Sequence, residues 1–181
     1  CPAPVAAEAA GGCQVRPGIL GMGKNILAFS GGKDSTCLAL KMAEDGEPFE
    51  LFFTPTFREL PECVDHIARV RDMTGKQLVI RKSDQTLVER IKQYAALPNQ
   101  RQRWCTREQK IEPCKAYLLE NPGSTLLVGL RADEEHREGM WGEFASYRYP
   151  LRELGWGVKE VWAYLDTLGV VVPDRTDCDF C

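Results

Sequence analysis

Residues Asn25 to Ser35 read N-I-L-A-F-S-G-G-K-D-S. A short apolar run meets two glycines, and polar residues then open a stretch with helical apolar spacing. The run from Asn25 to Phe29 predicts a buried strand. Cys37, Leu38, Leu40 and Met42 predict a helix over Asp34–Asp45, which Gly46 stops. The loop between them is rich in anion-binding groups. Glycines let a ligand approach the backbone, and the N–H groups at a helix start favour negative charge. Ser30 and Ser35 add hydroxyl donors and Lys33 adds a charge. Asp34 is the odd member, a candidate helix cap or Mg²⁺ ligand on a pyrophosphate. The loop is not G-x-x-x-x-G-K-S/T, the common nucleotide loop.

The rest of the chain repeats the alternation. Strands are predicted at Phe49–Phe53, Gln77–Ile80 and Thr125–Val128. Helices are predicted at Pro61–Met73 (ended by Gly75), Thr86–Ala95, Glu108–Glu120 (with Pro113 inside it) and Val158–Leu168 (with Val161, Trp162 and Leu165 on one face). Asn99–Arg107 and Arg131–Gly139 read as loops. This order predicts an α/β fold, a mostly parallel, Rossmann-like sheet sandwiched by helices. Ligands of such sheets bind beyond the carboxyl ends of the strands. Ser30, Thr54 and Gly129 each begin a loop after a strand, so they are expected at one edge.

The chain has 181 residues, 44% hydrophobic and 27% charged, enough for one domain with a proper core. No apolar run approaches the roughly 18 residues that span a bilayer. A formal charge of −3 argues against a protein that coats polyanions generally. Residues 1–23 are rich in Ala, Gly and Pro, do not read as a signal peptide, and are expected to form a mobile arm. Residues 24–181 are expected to form the catalytic domain, continuing beyond residue 181.

There are eight cysteines. Cys37 is expected in the core, Cys63 in the core or partly exposed, and Cys1 and Cys13 carry no signal. Cys178 and Cys181 form a C-x-x-C, a half-site for a metal or cluster. Cys105 and Cys114 are the best pair to complete it. Four thiolates suit a 4Fe–4S cluster or Zn²⁺, and the absence of any metal stays open. Of the two histidines, His66 reads as structural, while His136 is a phosphate contact, an acid/base group or a surface residue.

S-G-G-K-D-S after an apolar strand resembles the PP-loop of the ATP pyrophosphatase, or adenine nucleotide alpha hydrolase-like, superfamily. Three further segments resemble its phosphoadenosine phosphosulfate (PAPS) reductase family. T-P-T-F-R-E-L-P-E (Thr54–Glu62) is similar to T-x-T-G-x-E-x-P-E, with Phe57 where the family has Gly. W-C-T-R-E-Q-K-I-E-P-C (Trp104–Cys114) is similar to C-T-x-x-x-K-x-x-P. V-G-L-R-A-D-E-E-H-R (Val128–Arg137) is similar to G-x-R-x-x-E-S. Tyr149–Leu165 also resembles P-L-x-x-W-x-x-x-D-V-x-x-Y-L. The resemblance covers nearly all of Asn25 to Cys181.

It implies an adenine nucleotide, ATP or PAPS, with Mg²⁺. It marks Lys33, Asp34, Lys110 and Arg131 as catalytic. Ser30, Gly31, Gly32, Lys33, Asp34, Ser35, Thr54 and Arg137 would bind the nucleotide. Some members carry an iron–sulfur cluster on cysteines placed like Cys105, Cys114, Cys178 and Cys181. Lys110 and Arg131 are fixed cations that can stabilise a leaving pyrophosphate or a sulfonucleotide.

Three readings follow. The favoured one is cleavage of ATP to AMP and pyrophosphate, activating an acceptor in sulfur-related chemistry, with a sulfur-donor protein as partner. The acceptor is a nucleic acid or a small molecule, and Arg101, Arg103, Arg107, Lys110 and Lys115 with Trp104 are placed to face an extended one. The second is reduction of PAPS or adenosine phosphosulfate to sulfite, although the E-C-G-L-H-like tail it needs is not in these residues. The third is a nucleotide-binding module without chemistry. The expected setting is cytoplasmic, without membrane contact, in a chain open to oligomerisation.

Overall fold

A computed structural model describes residues 23–99, 101–134, 145–176 and 178. The arm expected over residues 1–23 therefore lies almost wholly outside the described residues, as do His136, Arg137 and Cys181.

Five strands form one sheet: β1 Asn25–Ala28, β2 Glu50–Phe53, β3 Leu78–Ile80, β4 Thr125–Leu127 and β5 Ser146–Arg148. Their order is β3-β2-β1-β4-β5, and every neighbouring pair is parallel. The direction of strand addition reverses between β1 and β4. That switch point leaves a crevice at the carboxyl ends of these two strands, where the S-G-G-K-D-S loop begins.

The helices are α1 Lys33–Glu44, α2 Pro61–Thr74, α3 Leu87–Tyr94, α4 Trp104–Thr106, α5 Glu112–Glu120, α6 Pro150–Glu153 and α7 Val158–Thr167. The side-chain period of two along the strands divides them between the two faces of the sheet. Leu27, Leu51 and Leu127 pack with Cys37 and Leu38 of α1, Ile67 and Val70 of α2, Leu151 of α6, and Val161 and Leu165 of α7. Ile26, Phe52 and Leu126 pack on the opposite face with Cys114, Tyr117 and Leu118 of α5. Burying one such leucine contributes about 1.5–3 kcal/mol. The first face holds the larger core.

The predicted α/β architecture is the observed one, with three corrections. First, β5 and α6 have no counterpart in the sequence reading. Ser146–Arg148 is a short polar edge strand, too short and too polar to show an apolar period, and only its pairing to β4 makes it a strand.

Second, the helix expected from Glu108 begins earlier. Trp104–Thr106 is already helical and leads through a π turn, Arg107–Ile111, into α5. Pro113 gives the reason. It has no N–H to offer the Gln109 carbonyl and would crowd it in α geometry. The backbone widens just before it, and the Glu112 amide bonds the Arg107 carbonyl, five residues back.

Third, Val161 and Leu165 are fully buried, but Trp162 points off their face and is 42% exposed.

Candidate functional site

The S-G-G-K-D-S loop is braced from within. The Ser30 and Ser35 hydroxyl oxygens lie 3.2 Å apart. Ser35 Oγ donates to the Gly32 carbonyl at 3.0 Å and accepts from the Ser30 amide at 3.3 Å. Ser30 Oγ accepts from the Gly32 amide at 3.3 Å. Gly31 sits at φ +77°, in the left-handed region, and a Cβ there would meet Ile67 Cγ1 at 3.1 Å. Glycine is therefore required on two grounds, conformation and space. Gly32 caps α1 with no side-chain hydrogen bond, so the first-turn amides are not occupied by a cap.

Asp34 does not cap the helix. Its Oδ2 accepts from Arg131 Nη1 at 2.8 Å and lies 3.2 Å from Lys33 Nζ. Its Oδ1 is buried and has no hydrogen-bond partner among the described residues. Arg131, on the loop after β4, also reaches Asp133 at 2.9 Å and Glu134 at 3.7 Å. Burial works against the Arg131 charge, but its bonds to Asp34 and Asp133 outweigh it and hold the guanidinium pKa above its ordinary value. The β4 loop reaches α1 because Gly129 has no side chain. A Cβ there would stand 3.1–3.2 Å from the Asp34 backbone.

Beneath the loop lies His66, fully buried in α2, its Nε2 2.9 Å from Thr36 Oγ1 in the first turn of α1. Burial, and then the charge of Arg69, push its pKa down, so the ring is neutral at neutral pH. The structural reading of His66 is the one the geometry supports.

These elements open onto a cavity of about 600 Å³. Its walls are the loop, the β4 end (Val128, Gly129, Leu130), Glu134, Trp162 of α7, and Val172, Pro173, Asp174 and Thr176. Lys33 is the one lining cation among the described residues, against three carboxylates, Asp34, Glu134 and Asp174. Arg131 pairs with two of the three, Asp34 and Glu134, so the wall keeps a small excess of negative charge that disfavours a bare polyphosphate. A divalent cation would reverse that balance, and Mg²⁺ takes one or two carboxylates together with phosphate oxygens. The orphaned Asp34 Oδ1 suits it.

The other expected residues spread out. Thr54 begins the loop after β2 and does not line the cavity. Lys110 stands exposed on the π turn, also outside the lining. In the segment around Thr54, Phe57 occupies the position where glycine was expected. It adopts φ +60°, a conformation that glycine takes freely. The hydrogen bonds beside it persist, because the Thr56 amide and hydroxyl both donate to Glu59 Oε1, at 2.7 and 2.6 Å.

The described thiols are not gathered into a metal site, and Cys181 lies outside the described residues. Cys114 is buried in the α5-side core, where burial pushes its pKa up to about 12. Cys105 is partly exposed on α4. Cys178 forms a bridge with Glu59, beyond β2. Among the described residues no three cysteine, histidine or acidic side chains form a group that could hold a metal ion. An iron–sulfur cluster or Zn²⁺ on Cys105, Cys114 and Cys178 does not fit this arrangement. Cys63, expected in the core or partly exposed, is buried and donates its Sγ–H to the Arg175 carbonyl at 2.8 Å.

Sequence reasoning missed Glu134, Trp162, Asp174 and Thr176 as cavity walls. Trp162 carried a signal, since it lies one residue from Val161 and so about 100° around the helix. The 172–176 segment carried none, for it reaches the loop only through the path of the chain after α7.

The profile of the phosphoadenosine phosphosulfate reductase domain family matches residues 24–174. Two uncharacterised proteins of Methanocaldococcus jannaschii are similar in sequence. One is 29% identical over 149 residues, 77% of this chain and 31% of its own length. The other is 27% identical over 164 residues, 84% of this chain and 38% of its own. The chain thus spans about a third of these curated relatives.

Two solved structures share the fold. The PAPS reductase of Candida auris, in a phosphate complex, gives a TM-score of 0.66 at 20% identity, covering 82% of this chain and 74% of that one. A protein of Methanocaldococcus jannaschii described as a predicted subunit of a tRNA methyltransferase gives 0.54 at 18% identity, covering 80% and 75%.

Proposed function

The chain belongs to the phosphoadenosine phosphosulfate reductase domain family, and on that footing we propose that it binds Mg²⁺–ATP in the β1/β4 cavity and cleaves it to AMP and pyrophosphate. The observation that carries this reading is the charge of the cavity wall. Lys33 faces three carboxylates, two of them paired with Arg131, and one carboxylate oxygen, Asp34 Oδ1, is buried without a hydrogen-bond partner among the described residues. Such a wall suits a metal-bound triphosphate better than a bare sulfonucleotide.

The roles divide by position. The first-turn amides of α1, with Ser30 and Ser35, hold the β- and γ-phosphates. Lys33 supplies countercharge to the pyrophosphate as it leaves. Asp34 offers Oδ1 to the metal, and Arg131 is a positioning residue that holds the other oxygen. Bound Mg²⁺ supplies charge neutralisation on the phosphates. An acceptor nucleophile attacks the α-phosphorus. The bond from that phosphorus to the bridging oxygen breaks, its electron pair leaves with pyrophosphate, and the acceptor's proton passes to solvent.

The link to sulfur chemistry rests on the family alone, and no step is routed through an iron–sulfur cluster, given where the described thiols lie. Lys110, Thr54 and Arg137 are left without a role in the cleavage step. Reduction of a sulfonucleotide needs a thiol at the cavity, and no cysteine is among the described lining residues.

The test is direct. Purified chain is given ATP with Mg²⁺ and, separately, PAPS with a dithiol reductant. AMP and pyrophosphate in the first, lost in Lys33→Ala, support the proposal. Sulfite in the second, with no AMP in the first, replaces it with the reductase reading. Nucleotide binding with neither product leaves a binding module.

A further inference from the structure

The segment between β3 and α5 differs from the rest of the molecule. From Arg81 to Lys115, nine Lys and Arg stand against four Asp and Glu, a formal +5 in a chain whose total is −3. All other residues together therefore carry −8. Lys82, Lys92, Arg101, Arg103 and Lys110 are exposed, and none has an ion-pair partner among the described residues. Isolated surface charges are ordinary, but five unpaired cations in one segment of an acidic chain are not.

A second observation is independent of charge. Seven buried side-chain nitrogen or oxygen atoms lack a hydrogen-bond partner among the described residues. Five of them lie in this segment: Gln85 Oε1, Arg90 Nε, Trp104 Nε1, Glu108 Oε2 and Gln109 Oε1. Arg90 Nε and Glu108 Oε2 face each other at 3.2 Å, an ion pair without hydrogen-bond alignment. Gln109 is only 1% exposed. Buried polar groups are nearly always satisfied; Arg90 and Glu108 answer each other, and the cluster left on Gln85, Trp104 and Gln109 is where water or a partner would complete the network. It coincides with the π turn, a feature common at functional positions. The Tyr94 and Trp104 rings meet edge to face with centroids 5.1 Å apart and join α3 to this helix.

Topology brings this surface to the edge that carries the phosphate loop. The chain leaves β3 at the carboxyl edge and must enter β4 from the amino edge, so α5 descends between them. Two bonds fix its ends. Tyr117 OH donates to Glu50 Oε1 at the start of β2, while Gln109 Nε2 donates to the Gln85 carbonyl just past the end of β3. The basic π turn is thus at the carboxyl edge.

We propose that the α3–α4–π surface binds single-stranded nucleic acid and presents it as the acceptor to the cavity. The unpaired cations follow the phosphates and the Tyr94–Trp104 pair offers ring surface to unstacked bases. The assignment of this strand as acceptor rests on the ATP-cleavage reading; the binding itself does not.

The experiment titrates the purified chain into a fluorescein-labelled single strand of about 12 nucleotides, as RNA and as DNA, between about 25 and 200 mM salt. Anisotropy is expected to rise, with affinity falling steeply as salt increases. Arg101→Ala/Arg103→Ala weakens binding on the order of 10-fold and makes the log–log salt slope shallower by about 1.4, some 0.7 per lost phosphate contact. The fold tolerates this change, because the Arg101 bond to Asn99 Oδ1 comes from its backbone amide.

The same preparations are assayed for AMP formation from ATP. Strand binding without AMP breaks the ATP-cleavage reading and keeps the surface; AMP without strand binding does the reverse. Three further results overturn the proposal: duplex binding as tight as single-strand binding, affinity unmoved in the double variant, and polyglutamate competing as well as RNA, which would point to an acidic protein partner.

Discussion

Two polar regions share the carboxyl edge of this sheet, and they are built in opposite ways. In the S-G-G-K-D-S loop both hydroxyls are bonded within the loop, Gly31 fixes the turn, and the cavity wall carries an excess of carboxylates. Around the junction between α3 and α5, Lys82, Lys92, Arg101, Arg103 and Lys110 have no ion-pair partner among the described residues, buried polar atoms of Gln85, Trp104 and Gln109 have no hydrogen-bond partner among them, and the helix is distorted by Pro113. The loop is preorganised for one small ligand in one geometry. The junction has its polar groups in place but not yet satisfied, which suits a longer and more variable partner.

The comparison can be broken most severely on the loop side. Asp34→Asn removes the charge proposed to meet Mg²⁺ while keeping the side chain's shape. AMP formation is expected to fall on the order of 100-fold. Wild-type turnover in this variant would end the metal-bridged reading. Gly31→Val comes next. The left-handed φ and the contact with Ile67 together cost about 1–3 kcal/mol, read as a lower urea midpoint with an unchanged m-value.

Phe57 offers the opposite sign, since Phe57→Gly relieves a left-handed conformation. Stability is expected to rise by about 1 kcal/mol, part of the relief being offset by unfolded-state entropy.

A smaller effect sharpens the junction side. Gln109→Leu loses the bond to the Gln85 carbonyl but removes a buried oxygen without a partner. The two nearly cancel, so the change stays within about 1 kcal/mol. A loss of several kcal/mol would show the junction to be satisfied after all.

The smallest effect is pH-dependent. His66 has its pKa lowered from 6.5 by burial and Arg69, so the unfolded chain binds its proton first. The stability this neutral ring contributes is whole above pH 6.5 and is lost as pH falls toward the lowered folded value. His66→Gln is expected to flatten that acid limb of a stability-versus-pH profile.

Much of this was legible in the chain. The apolar runs placed four of the five strands, and the loop at Ser30–Ser35 needed only local spacing. Thr86 and Glu89 form the capping box that starts α3. What escaped had no local period. Ser146–Arg148 is a strand only because β4 lies beside it. The π turn follows from Pro113, but sequence spacing shows only that a helix is disturbed there, not which way the backbone yields. Spacing does not place the cysteines either: Cys114 faces an apolar core and Cys178 pairs its backbone with Glu59, while Cys181 lies outside the described residues.

By itself the sequence determined the layered α/β fold and the phosphate loop, because burial period and turn chemistry act over a few residues. Only the tertiary structure decided how the charges pair. Arg131 and Asp34 lie 97 residues apart and meet at 2.8 Å because β4 pairs with β1 and Gly129 lets the loop close on α1. Electrostatic energy depends on distance in space, and strand order, not chain order, sets that distance.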